Sequence, residues 1–361
     1  MNPQIAYLVA LSSAPGIGPK KTEVLLKFFK TPKEVWEAPG GDLKEILGKS
    51  DYSHFLEYRE KIDVGTNFNQ LSNQGVKVLT ILEDSYPKLL SQISSPPPVL
   101  YYKGDLVSTA AAPCLAVVGT RLITTYGREV TEKLVEGLVA SGLTIVSGLA
   151  RGVDTVAHQT AVRNGGKTIG VLGGGFNEFY PPGNEKLASQ IASGFGAVIT
   201  EFPPDQPAVP TNFPARNRII SGLSIGVLVT EAAEDSGSLI TADFASEQGR
   251  EVFAVPGPIT SKLSKGPSRL LKLGAKLVSG VEDILEELKI ESRSKILELR
   301  EYKPENQVEE KVLELLENEA MDVDQIVRES GLNTAQISST LTLLEIKGVL
   351  RNLGTGVYSR K

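Results

Sequence analysis

Three arginines, a glycine triplet and a serine-flanked helix start are the residues of this 361-residue chain whose types and spacing could do chemistry, and the chemistry they suit is the binding of an anion. Arg121 follows Gly119 and Thr120 in the run LAVVGTR; Gly173, Gly174 and Gly175 close another apolar run; Arg216 and Arg218 bracket Asn217; and Ser236, Gly237 and Ser238 precede a helical stretch that carries Thr241. Guanidinium groups match phosphate bidentately. Glycine lets backbone N–H groups come close to a bound group, and a helix start adds partial positive charge. A basic block follows: from Val252 to Val281 there is no acidic residue, but there are Lys262, Lys265, Arg269, Lys272 and Lys276. The last three are spaced three and four apart, so they share one face as far as a helix continues. A solvated positive face is the plainer reading of this block.

Other groups could serve acid–base work. Glu231 stands at the end of an apolar run, and Asp154 and His158 lie four apart in SGLARGVDTVAH. Asp154 reads equally as a helix cap, and His158 as a hydrogen-bonding structural histidine. With one cysteine, Cys114, and only His54 and His158 as histidines, neither a disulfide framework nor a metal site is expected. Neither G-x-G-x-x-G after the first strand nor G-x-x-x-x-G-K-[ST] anywhere is present, which weakens dinucleotide and Walker-type readings. The 38 basic residues are outnumbered by 43 acidic ones, so any polyanion site must be local. The chain carries neither a long uncharged apolar segment nor a signal-like amino terminus; no membrane insertion and a reducing cytoplasm are the expectation.

The elements that must position these groups are short Val- and Ile-rich runs: 115–118, 144–146, 168–172, 197–200, 226–229 and 252–255. Each ends in small or polar residues and is separated from the next by an amphipathic segment, the pattern of βαβ units on a mostly parallel sheet. Loops after such strands gather at one sheet edge, where open α/β proteins bind ligands. The predicted class is therefore α/β with an extended Rossmann-like sheet over 71–290, its core at 109–288.

Flanking units are expected on both sides. Residues 1–70 read as a helical domain, in which Gly16 and Gly18 around Ile17, then Pro19 at a helix start with Val24, Leu25, Phe28 and Phe29 as its apolar face, resemble a helix-hairpin-helix element. In that family the hairpin N–H groups point at phosphate, and Lys20 and Lys21 suit this; alternatively the glycines only allow a close helix crossing. Val76–Leu82, the YPKLL turn and PPPVLYYKG form an adaptor. Residues 291–307 read as a charged linker, and 308–361 as three helices and two short strands around Gly354 and Gly356, which look like a winged helix. Its third helix, from Thr334, has no lysine or arginine, which favours a protein-contact role over DNA reading.

Together VVGTR, SGLARGVDTVAH, LGGGFNEFYPPGN, ITEFPP, FPARNRIISGLS, SGSLITA and VFAVPG, in this order over about 160 residues, resemble the bacterial DNA-processing protein A family, also called Smf. The resemblance implies a dimeric, non-enzymatic protein that binds single-stranded DNA without sequence preference and helps load the RecA recombinase in natural transformation. It implies DNA contacts at Arg121, Gly173–Gly175, Arg216, Asn217, Arg218 and Ser236 to Thr241, with Lys262 and Lys265 placed more loosely, and it implies no metal or nucleotide cofactor. The rival is a nucleotide-processing hydrolase with Glu231, Asp154 and His158 as its acid–base set. Against it, SGSLITA lacks the paired prolyl and glycyl residues expected of such enzymes.

Overall fold

The structure is a computed structural model that describes residues 3–290, 304–317, 319–347, 349–354 and 356–360. The linker expected over 291–307 lies mostly outside the described residues. The chain divides into two compact units, Met1–Arg293 and Ser294–Lys361.

The first unit opens with six helices, α1 (Pro3–Ser12), α2 (Pro19–Phe29), α3 (Pro32–Glu37), α4 (Gly40–Leu47), α5 (Lys49–Lys61) and α6 (Val64–Asn73). Proline at the first turn of α2 and α3 starts each helix where no N–H is needed, and Thr31 and Asp63 cap α3 and α6 by accepting from Glu34 and Thr66 N–H. The bundle packs around Trp36, whose ring meets Phe55 edge-on at 5.6 Å. Only part of the apolar face expected of α2 is inside: Leu25 is buried, but Val24 and Phe28 are 50% and 56% exposed. The neighbouring helices meet α2 along the Thr22–Leu25 side, which leaves that pair to solvent.

A nine-stranded sheet follows, formed by β1 (Lys77–Thr80), β2 (Val99–Gly104), β3 (Cys114–Val118), β4 (Thr144–Ser147), β5 (Thr168–Val171), β6 (Gly196–Thr200), β7 (Gly226–Val229), β8 (Glu251–Ala254) and β9 (Lys276–Leu277). Its order is β1-β2-β6-β5-β4-β3-β7-β8-β9. The pairs from β6 to β9 are parallel, whereas β2 runs antiparallel to β6 and β1 to β2. Strand β3 is buried throughout, and the period of two divides it between two cores. Leu115 and Val117 face α9 (Thr125–Ala140), α10 (Val153–Arg163) and α15 (Val281–Glu287). Ala116 and Val118 face the other layer, which holds α7 (Lys88–Ser91), α8 (Leu106–Thr109), α12 (Asn212–Gly222), α13 (Gly237–Glu247) and α14 (Lys265–Lys272). A short helix, α11 (Glu185–Gln190), precedes β6.

The adaptor is part of this architecture. Leu79, Leu90, Leu100 and Leu106 belong to the same core as Ala116 and Val118, so a fragment beginning at residue 109 would leave that face open. Leu8 and Val9 of α1 and Phe68 and Leu71 of α6 pack with Val76, Val99 and Tyr101, which seats the helical bundle on the antiparallel edge. In the basic block the helix ends at Lys272; Lys276 lies on β9, where it pairs with Glu287 at 3.1 Å instead of extending a helical stripe.

The second unit is a winged helix: α16 (Gln307–Leu315), β10 (Met321–Asp322), α17 (Val323–Ser330), α18 (Thr334–Ile346), β11 (Leu350–Asn352) and β12 (Val357–Arg360), with a three-stranded sheet in the order β10-β12-β11. Asp322 and Gln325 form a reciprocal capping box at α17, and Asn333 caps α18.

Candidate nucleic-acid interface

Strand β3 has β4 on one side and β7 on the other, and the chain winds outward in opposite directions from this pair, which makes the β3–β7 boundary the switch point of the sheet. Above it opens a cavity of 770 Å³, lined by the loops after β3 and β4, the first turns of α12 and the start of α13. Arg121, Arg216, Asn217, Ser236, Gly237, Ser238 and Thr241 all border it. Residues scattered over more than a hundred positions of sequence thus meet at one place.

The loop carrying Arg121 is held from both sides. Thr120 N–H donates to the Glu231 carbonyl at 2.6 Å, and Val153 N–H donates to the Thr120 carbonyl at 3.1 Å. Gly152 has φ +78°, and a Cβ there would lie 2.1 Å from the Thr120 oxygen, so glycine is required for the β4 loop to pass beneath. The Glu231 carboxylate accepts from Thr124 N–H at 3.0 Å and Thr124 Oγ1 at 2.7 Å, while Thr124 caps α9. Glu231 therefore anchors the loop after β3.

Asp154 and His158 are structural in the same sense. Asp154 does not cap its own helix; its buried carboxylate accepts from Gly148 and Ala150 N–H, tying down the loop after β4. Burial pushes its pKa up, opposed by the Arg216 charge. His158 Nδ1 lies 2.7 Å from Thr168 Oγ1, and full burial pushes its pKa down to about 3, which keeps the ring neutral. Arg216, only 5% exposed, donates through Nη1 to the carbonyls of Gly148, at 2.7 Å, and Val171. Burial lowers its pKa to about 10, with the Asp154 charge acting the other way. Asn217 donates to the Gly237 carbonyl at 3.1 Å and so links α12 to the α13 start.

Two expected contacts are committed elsewhere. Arg218 points to the far side of α12, where both Nη atoms donate to the Glu201 carboxylate at 2.6 Å and Nε donates to the Ser95 carbonyl. With 11% and 9% of their side chains exposed, the two groups are already paired with each other in this structure. The Gly173–Gly175 turn is buried beneath the segment 203–213: Cβ atoms there would strike Phe213, Ala208 and the Pro204 oxygen, and Gly175 N–H donates to the Gln206 carbonyl. Its glycines serve close packing. Lys262 and Lys265 are exposed at the adjoining turn into α14, where the Leu263 carbonyl accepts from Ala232 N–H and Gly266 N–H donates to the Ala232 carbonyl beside the cleft.

At the cleft mouth stands an aromatic wall. Phe213 and Tyr180 have ring centroids 5.7 Å apart at 57°, and the Arg121 guanidinium lies 5.8 Å from the Phe213 centroid. Tyr180 is 48% exposed, which leaves its outer ring face open to a stacking partner.

Residues 77–289 match the family model of DNA recombination-mediator protein A, and residues 300–355 match the DprA winged helix domain. The chain belongs to the DNA recombination-mediator protein A family. It is 44% identical over 249 residues to DNA processing protein DprA of Streptococcus pneumoniae, covering 68% of this chain and 86% of that protein. It is likewise 44% identical over 269 residues to protein Smf of Escherichia coli, covering 73% of this chain and 72% of that protein. The solved Streptococcus pneumoniae DprA superimposes with a TM-score of 0.69 at 40% identity, covering 78% of this chain and 97% of that one. DNA processing protein A of Helicobacter pylori, whose structure was described for its single-stranded DNA binding mode, gives 0.53 at 30% identity over 59% and 95%.

Within this member of the DNA recombination-mediator protein A family, two further residues stand in or beside the cleft beyond those the motifs single out. Phe213 reads in sequence only as the start of FPARN, and its role depends on Tyr180, 33 positions away. Arg151 is exposed in the loop after β4, next to cleft-lining Ala150. Its signal was a lone basic residue beside a glycine.

Proposed function

We propose that the chain is a single-stranded DNA-binding recombination mediator that takes the strand across the β3–β7 cleft. The observation that carries this reading is the convergence of Arg121, the α13 start and the Phe213–Tyr180 wall on one cavity. Positive charge and a helix start suit a phosphate, and exposed ring faces suit unpaired bases whatever their identity. The Helicobacter pylori relative's described single-stranded DNA binding supports the same assignment. Arg121, Arg151, Lys262 and Lys265 supply the phosphate contacts, while Arg216 and Asn217 hold the cleft in shape.

The protein acts without catalysis in this reading, because Glu231, Asp154 and His158 are each spent on fixing the loops and strands. It works in the cytoplasm in natural transformation, handing the strand to RecA, and pairs with a second copy through the β9 edge. Leu273, 71% exposed, and Leu277 form an open apolar margin there, whereas Leu270 is taken into the core.

Titration of labelled oligo-dT at several salt concentrations tests the reading. Three or four neutralised phosphates give a slope of log affinity against log salt of roughly −2 to −3. Equal affinity for dT and mixed-sequence single strands is expected. A slope near zero, or tighter binding to duplex, contradicts it.

A further inference from the structure

We propose that the strand, on leaving the cleft, turns towards β8 and crosses a second platform made by Leu122, Tyr126 and Ile259, so that one protomer engages bases at two stations on either side of Arg121. This rests on the proposed strand site and takes it further by naming where the strand goes next. Neither core of the sheet takes these side chains in: Ile259 is 100% exposed, Leu122 83% and Tyr126 38%. Single apolar side chains at a surface are ordinary, but several held together in water mark a contact surface.

The fold gathers them from distant positions and braces them. Tyr126 Oη donates to the Pro256 carbonyl at 2.6 Å, which ties the first turn of α9 to the loop after β8. That loop turns back where Ser261 N–H donates to the Pro258 carbonyl at 2.9 Å, leaving Ile259 at its tip. Leu122 follows Arg121 directly, and its N–H donates to Thr120 Oγ1 at 3.1 Å. The Arg121 guanidinium lies over the Phe213 ring, so this one loop borders both the aromatic wall of the cleft and the outer platform.

Charge favours DNA as the occupant. Lys262 and Lys265 are exposed just beyond Ile259, and no acidic residue occurs from Val252 to Val281. The exposed Glu234 and Asp235 precede α13, which packs in the layer opposite α9. An apolar face with a ring, edged by lysines and continuous with the cleft, suits unpaired bases carried on a polyanionic backbone. A second copy packed here about a two-fold axis would instead bring the same lysines against one another.

The test uses the full chain with oligo-dT of roughly four and roughly sixteen nucleotides, the span of site sizes seen for single-strand-binding folds, the short strand being read by competition. Ile259→Ser and Leu122→Ser, each checked for an unchanged melting curve, should bind the long strand at least fivefold more weakly and the short strand within twofold of wild type. A long strand carrying 5-iodouracil should crosslink to Tyr126, and a short one should not. If both variants bind the long strand as wild type does while Arg121→Ala weakens it, the inference falls and the strand site stands. Equal weakening of short and long strands also overturns it, since the platform would then be no separate station. Loss of self-association in Ile259→Ser, seen by sedimentation with DNA affinity unchanged, assigns the face to a second copy and overturns it too. If Arg121→Ala binds as wild type as well, both readings fall.

Discussion

Arg216→Ala and Arg121→Ala should have opposite signatures, although both residues border the cleft. Removing the Arg216 guanidinium leaves the Gly148 and Val171 carbonyls without their donor and the buried Asp154 carboxylate without its balancing charge. Orphaning buried acceptors costs roughly 1–3 kcal/mol apiece, a large share of the total of roughly 5–15 kcal/mol typical of a folded domain. Arg121 is exposed, and its loss should cost stability only the cation–π contact with Phe213, about 0.5–1 kcal/mol. In binding the order reverses. Arg121→Ala should lose about 1–3 kcal/mol of a charge-assisted contact, roughly 5- to 150-fold in affinity for oligo-dT. Urea melts and fluorescence anisotropy on the same preparations read both quantities. Arg216→Ala should melt at much lower denaturant, and adding Asp154→Asn should recover part of the loss. An Arg216→Ala protein as stable as wild type but unable to bind DNA would refute the assignment of Arg216 as a support.

Four other perturbations should read out the same geometry. His158 is depressed from 6.5 to about 3 in the fold, so its contribution is present above pH 6.5 and is lost as pH falls towards 3; His158→Gln should flatten the decline of stability across that window in pH-dependent melts. Asp154 is shifted upwards, so its own contribution runs the other way, present at low pH and lost as pH rises through its folded value. Gly152→Ala forces an L residue to φ +78° and sets a Cβ against the Thr120 oxygen, so it should cost at least roughly 1–2 kcal/mol of stability and weaken DNA binding by displacing Arg121, whereas Arg151→Ala should weaken binding with no loss in melts. Deleting the winged helix from residue 302 should change oligo-dT affinity by less than Arg121→Ala does, since α18 offers no lysine or arginine.

The parallel strands and the edge at which their loops gather were legible because each strand announces itself locally, as a β-branched run that stops at small residues. The SGS helix start and the GTR loop were legible for the same reason. What was not legible depends on partners distant in sequence. Arg218 looks as free as Arg121 until Glu201, 17 residues before it, is folded onto it. Gly173–Gly175 look like a phosphate cradle until the segment 203–213 covers them. The antiparallel β1–β2 edge was invisible as part of the sheet, since the hydrogen bonds from Val99–Gly104 to Gly196–Thr200 cross almost a hundred residues. Val24 and Phe28 kept helical periodicity without a surface to bury it, so amphipathic spacing overstated what α2 hides.

The central claim, that a single strand lies across the β3–β7 cleft, is tested most directly by photo-crosslinking oligonucleotides that carry 5-iodouracil to the full chain and mapping the modified peptides by mass spectrometry. Crosslinks are expected at Tyr180 and Phe213, lost on adding excess unlabelled oligo-dT and reduced in Arg121→Ala. Crosslinks confined to the hairpin at 16–21 or to the winged helix, with Tyr180 and Phe213 unmodified, would contradict it.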